Sequence, residues 1–263
     1  MVFRKLRPNS PAGEMPFFDH LEELRWRIVW SLTALAVGTA IGFYVAIRFD
    51  LFSLLKKPVD PFISNAELIA LSVTAPFMIT FNIALTLGII LAAPVIVYQV
   101  WAFLAPALTK REKRYITPAL YLGAVLFCAG VAMAYMYVLP VTLKFMGSFQ
   151  SPGLRWALTA DGYFGFVLKL LVAFGLMFEL PVVVMILTAL GLVTSKWLAS
   201  KRRYAIAGMA IAAALITPGD AITATIFMMG PLMALYEIGI LLAKMVERGK
   251  ARHAAADALA EAQ

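Results

Sequence analysis

The chain alternates between long apolar runs and short polar stretches. Apolar positions dominate residues 28–47, 77–101, 115–139 and 166–190, and two further runs follow at 204–217 and 221–243. A helix that crosses about 30 Å of hydrocarbon needs about 20 such residues, so each of the first four runs predicts a span. The fifth is short, reaching only about 21 Å at the helical rise. It ends in Thr217-Pro218-Gly219-Asp220, a strong turn signal. The last two runs therefore predict a tight helical hairpin whose turn lies shallow in a locally thinned bilayer. The pattern reads as an all-α polytopic membrane protein with six transmembrane helices, the fifth and sixth short. Its segments are 1–27, a six-helix membrane domain at 28–243, and a tail at 244–263.

The polar stretches set the orientation. Basic residues cluster before the first run (Arg4, Lys5, Arg7, Arg25, Arg27) and after the second (Lys110, Arg111, Lys113, Arg114). They cluster again after the fourth (Lys196, Lys201, Arg202, Arg203) and in the tail (Lys244, Arg248, Lys250, Arg252). These are 17 of the 23 lysines and arginines, all on one side of the predicted topology. Positive loops stay inside, so both termini are predicted to be cytoplasmic. The first run exceeds a cleavable signal's apolar core, and no small-residue cleavage site follows it. It reads as a retained span.

The far-side connections, 48–76 and 140–165, are long enough to carry structure of their own. Pro58-Val59-Asp60-Pro61 predicts a turn, and 66–73 a short interfacial helix. The Ala-rich tail predicts a fraying helix. No internal repeat is visible.

Composition agrees with the pattern. Of 263 residues, 62% are hydrophobic and 14% charged, with mean hydropathy +0.85, whereas soluble domains carry about 45–50% and about 25%. The net charge of +8 follows from membrane orientation and does not require nucleic acid. The one cysteine, Cys128, excludes an internal disulfide. The two histidines, His20 and His253, lie outside the apolar runs and exclude zinc-hydrolase motifs and histidine clusters. No metal or cofactor is expected.

Ionisable groups within spans are costly and are functional candidates. Glu179, in Phe178-Glu179-Leu180-Pro181, lies near the middle of the fourth run. Pro181 lacks a backbone donor and predicts a kink that frees a carbonyl beside Glu179. A carboxyl satisfied by a neighbouring helix is the structural alternative to one facing a docking groove. Lys169 is about 15 Å up the same helix, too far for a salt bridge, and its stem is predicted to snorkel. Glu237 reads as a hydrogen-bonding residue between helices. Asp220 reads as a cap on the last helix. Glu23 and Glu112 are carboxylates among cations. They fit either surface ion pairs, worth about 0–1 kcal/mol, or a pair suited to bidentate guanidinium binding.

Four motifs, in order and at matching depths, resemble the TatC family, the multispanning receptor subunits of twin-arginine protein translocases. They are His20-Leu21-Glu22-Glu23-Leu24-Arg25, Phe103-x-x-Pro106-Ala107-Leu108-x-x-x-Glu112, Phe174-Gly175-x-x-Phe178-Glu179-x-Pro181 and Thr217-Pro218-Gly219-Asp220. The resemblance implies a concave membrane domain that binds the twin-arginine signal peptides of folded cargo. It implies partners of the TatA/TatB single-span type, further copies of the chain itself, contact with membrane lipid, and transport powered by the protonmotive force in a bacterial inner membrane. On this resemblance Glu23 and Glu112 receive the two guanidinium groups. Arg25, Phe103, Pro106 and Leu108 shape that site. Glu179, with Pro181 and Glu237 on the intramembrane face, meets a polar group of a partner. Pro218 and Asp220 belong to the far-side hairpin. The resemblance does not call for Lys169.

Two other classes fit less well. A secondary transporter or channel could use Glu179 and Lys169, but such folds show repeats with broken helices at matching positions. An intramembrane protease could use Gly219-Asp220, but no second intramembrane aspartate and no nucleophile motif accompanies it.

Overall fold

The computed structural model describes residues 17–63, 67–107, 110–148, 158–216 and 223–261. Its regular elements are helical: α1 (Phe17–Arg48), α2 (Leu51–Lys56), α3 (Ala75–Leu104), α4 (Lys110–Met133), α5 (Leu139–Ser148), α6 (Ala160–Phe178), α7 (Leu180–Ala189), α8 (Ser195–Ser200), α9 (Arg202–Ile216) and α10 (Thr223–Glu261). Among the described residues, five stretches are long and apolar enough to cross a membrane: Phe18–Arg48, Ala75–Leu104, Tyr121–Ser148, Ala160–Ala189 and Met229–Arg252. The α9 helix, at 15 residues, covers only about 22 Å. The fifth run is thus a short helix, as its length predicts. The Thr217–Asp220 turn lies outside the described residues.

Backbone proximity organises the first helix pair. A Cβ on Gly38 would stand 2.8 Å from the Gly88 carbonyl oxygen, and one on Gly42 would stand 2.4 Å from that of Ala84. Small residues four apart on both α1 and α3 let the backbones touch, the usual device where lipid removes the hydrophobic drive for association. The rest of α1 shows Trp30, Leu32, Val37, Ile41 and Tyr44 on its outer surface. Water would not tolerate such an apolar face, and hydrocarbon would. The α4–α6 contact uses the same device: Gly130 faces the Phe174 carbonyl, and Gly175 faces the ring of buried Phe127.

Proline shapes two spans. Before Pro140, residues Ala134–Val138 form a π-turn in which Leu139 N donates to Ala134 O. Pro140 has no N–H, so a widened turn ahead of it absorbs the lost bond. The fourth run is two helices rather than one, broken at Glu179. There Glu179 N donates to Leu176 O at 3.1 Å and Val182 N to Glu179 O at 3.0 Å, a tightened turn that accommodates Pro181 as the sequence predicts.

The far-side connection folds back on the bundle. Asp50 takes a left-handed conformation (φ 46°) and accepts from Ser53 N to start α2, and these bonds hold its carboxyl below the usual carboxylate range. The end of α2 is tied down by two tyrosines: Tyr135 Oη donates to Leu54 O at 2.6 Å and Tyr163 Oη to Leu55 O at 2.7 Å. Residues 67–72 form no helix, and Ile69 among them sits in a bridge. Ile69 N donates to Leu158 O and Ala160 N donates to Ile69 O, a single parallel bridge that satisfies backbone groups a lone short helix would leave open.

The last helix also departs from expectation. It is not short: α10 runs 39 residues, through the predicted tail to Glu261. The segment beyond Ala243 is rich in Ala, Lys, Arg and Glu, strong helix formers, and nothing there breaks the helix set up in the membrane.

Candidate functional site

The ends of α1 and α3 meet in a cluster of polar and aromatic side chains. His20, Glu23 and Arg27 share one face of α1 at three- and four-residue spacing. Arg27 Nε donates to Glu23 Oε1 at 3.0 Å, one Nη donates to the same oxygen, and the other Nη donates to Gln99 Oε1 on α3 at 3.3 Å. His20 Nδ1 lies 3.8 Å from Glu23 Oε2. The His20 ring stacks on Phe103 with centroids 4.3 Å apart and planes at 15°. Glu23 and Arg27 side chains are only 21% and 23% exposed, so this is a partly desolvated charge pair. Glu23 Oε2 is shut off from solvent and accepts no hydrogen bond among the described residues.

The structure therefore brings Glu23 and Phe103 together, with His20 between them. Arg25 points outward and joins no ion pair among the described residues. Pro106 is exposed, in the turn Ala105–Ala107 that ends α3. Leu108 lies outside the described residues. Glu112 falls in the first turns of α4, and its side chain is outside the described set. Sequence reasoning gave no role to Arg27 or Gln99. Both had a legible signal: Arg27 is one turn after Glu23, and Gln99 one turn before Phe103.

A second polar site lies at the α6–α7 break. The Glu179 carboxylate rests on Gly123 of α4, where a Cβ would stand 2.7 Å from Oε2. Oε1 is shut off from solvent with no hydrogen-bond partner among the described residues. Pro181 is buried beside it. Glu237 is engaged within the chain, accepting from Arg202 Nε at 2.6 Å and from an Arg202 Nη at 2.9 Å; two residues on, a Cβ at Gly239 would stand 3.6 Å from the Pro181 Cα. The bond between Arg202 and Glu237 joins α9 to α10. Lys169 is exposed on α6. Pro218 and Asp220 lie outside the described residues. No group of three or more potential metal ligands occurs among the described residues.

A third feature had not been anticipated. The connection between α7 and α9 is fastened to α10. Ser195 N and Oγ donate to the Glu247 carboxylate at 2.7 and 2.5 Å, Tyr236 Oη donates to Leu198 O at 2.8 Å, and Lys250 Nζ donates to Ala189 O.

Comparison with known proteins decides the family. The Sec-independent protein translocase protein (TatC) family matches residues 19–231. The chain belongs to the TatC family. It is 42% identical to the TatC of Aquifex aeolicus over 239 residues, covering 90% of this chain and 98% of that protein. The TatC of Escherichia coli K12 is 34% identical over 245 residues, covering 92% and 94%. A crystal structure of a twin arginine translocase receptor TatC superposes with a TM-score of 0.73 at 40% identity, covering 87% of this chain and 99% of that one. The TatC match contains the Glu23–Phe103 cluster and Glu179, and it stops short of Glu237. The chain is thus a Sec-independent protein translocase protein of TatC type, all-helical among its described residues and with helices able to span a membrane.

Proposed function

We propose that the chain is the receptor and core subunit of a twin-arginine translocase in a bacterial inner membrane. In this reading α9 completes six spans, both termini are cytoplasmic, and the protein transports without catalysing a covalent reaction. The cluster at the ends of α1 and α3 is then cytoplasmic, where a precursor's signal peptide first arrives.

The observation that carries the reading is the Glu23 carboxylate: partly desolvated, backed by a guanidinium, and keeping one buried oxygen without a donor among the described residues. A charge-assisted bond from an arriving arginine would satisfy it. Glu112, eight residues beyond Leu104 at the end of α3, supplies the acid for the second arginine. Partial exposure keeps such contacts strong yet reversible. The apolar part of the signal peptide then lies along the spans past the α6–α7 break. There Glu179 offers Oε1, which has no partner among the described residues, to a polar group of a TatA/TatB-type single-span partner. Further copies of the chain and membrane lipid cover the remaining apolar faces, and the protonmotive force drives transport.

Charge reversal tests the reading. Glu112→Lys is expected to abolish export of twin-arginine cargo while the protein still inserts in the membrane. Normal export by that variant contradicts the receptor site.

A further inference from the structure

The partner of Glu23 in the resting protein is a guanidinium of the same chain. Arg27 spans two acceptors: Glu23 Oε1, which it contacts through two of its nitrogens, and Gln99 Oε1 on the neighbouring helix at 3.3 Å. Glu23 Oε2 has no donor among the described residues, but a ligand guanidinium that grips both carboxylate oxygens must also take Oε1, which is already occupied from within. A second acceptor for the occupant stands beside it.

We propose that Arg27 is an exchangeable internal guanidinium that selects which cations the acidic site admits, an inference that rests on the receptor reading above. A ligand arginine brings a planar fork of donors that can take over the contacts at Glu23 while Arg27 turns onto Gln99. A ligand lysine brings a compact charge without the fork. It cannot replace a two-nitrogen contact in a partly buried place without leaving acceptors short of donors, which is costly. Competition with Arg27 thus converts a general attraction for cations into a preference for guanidinium. Gln99 matters because a displaced guanidinium left without an acceptor resists displacement.

The test uses the full-length protein in lipid nanodiscs and two fluorescent synthetic signal peptides, one with paired arginines and one with paired lysines. Equal binding of the two peptides by the unaltered protein overturns the receptor reading, and this inference with it. Given a preference for arginine, Arg27→Gln is expected to strengthen paired-lysine binding and lower the arginine-over-lysine ratio about tenfold, the scale of one good charged contact. Gln99→Leu is expected to act the other way, weakening paired-arginine binding several-fold and leaving paired-lysine binding unchanged. A purely structural role moves both variants in the same direction. Arg27→Lys keeps the charge and removes the fork, and is also expected to lower the ratio. A ratio retained in both Arg27 variants overturns the proposal, including the case in which one of them folds poorly.

Discussion

The carboxylate of Glu179 lies on the bare backbone of Gly123, and a Cβ at that glycine would meet Oε2 at 2.7 Å. One helix thus leaves a slot for the acid at the break of another. The neighbour here is the far end of a flexible side chain, which can swing away. Gly123→Ala is therefore expected to cost stability only at the low end of the overpacking range of about 1–3 kcal/mol, while pushing Glu179 out of its slot. Thermal unfolding in detergent and copurification of single-span partners check this. A fall in copurification with little change in unfolding is expected, and normal copurification counts against the Glu179 site.

Gly88 is the contrasting case. A Cβ there would meet the Cα and N of Thr39 at 2.7 Å, and a backbone cannot swing aside. Gly88→Ala is expected to cost at least the upper part of the same range of about 1–3 kcal/mol, read as early unfolding in detergent. It should also weaken signal-peptide binding, because α1 and α3 carry the two halves of the Glu23–Phe103 cluster. Unfolding like that of the unaltered protein would show that the two backbones do not touch.

Much of this arrangement was legible in advance, for physical reasons. Apolar run length announced helices long enough to cross a membrane, and five such stretches stand among the described residues, because hydrocarbon thickness sets the length a span needs. Pro181 announced the break at Glu179 because a missing N–H has a local consequence. The motif that begins at His20 and holds Glu23 pointed to the entry of α1, where both now stand on one face. What was not legible depends on pairing between distant segments. Nothing local says that Gln99 meets Arg27, that Ser195 donates to Glu247, or that residues 67–72 form no helix and bridge through Ile69 to 158–160. The pattern predicts a short last helix with only a fraying helix in the tail, yet α10 runs on through it to Glu261, because Ala, Lys, Arg and Glu sustain the helix.

Glu179→Ala should weaken assembly with single-span partners while leaving binding of a paired-arginine peptide intact, since Glu179 lies at the α6–α7 break and the described Glu23 cluster stands on α1 and α3. Peptide binding and partner copurification from the same membranes separate the two effects. Equal loss of both makes the residue structural.

Glu247→Ala removes the acceptor for both Ser195 donors. Hydrogen bonds to a charged group contribute about 1.5–3 kcal/mol, so the connection between α7 and α9 should loosen. Lys196 and Lys201 stand in it, and trypsin should cut there faster than in the unaltered protein. Unchanged cleavage would mean that Tyr236 and Lys250 hold the connection without Glu247.

In the receptor proposed above, Glu23 and Glu112 receive the two arginines. A photoreactive group at residue 23 or 112, in membranes that contain the partners, tests it most directly with signal peptides carrying Arg-Arg or Lys-Lys. The account predicts an adduct with Arg-Arg that is lost with Lys-Lys. No adduct with either peptide would return both carboxylates to surface ion pairs and contradict the receptor site.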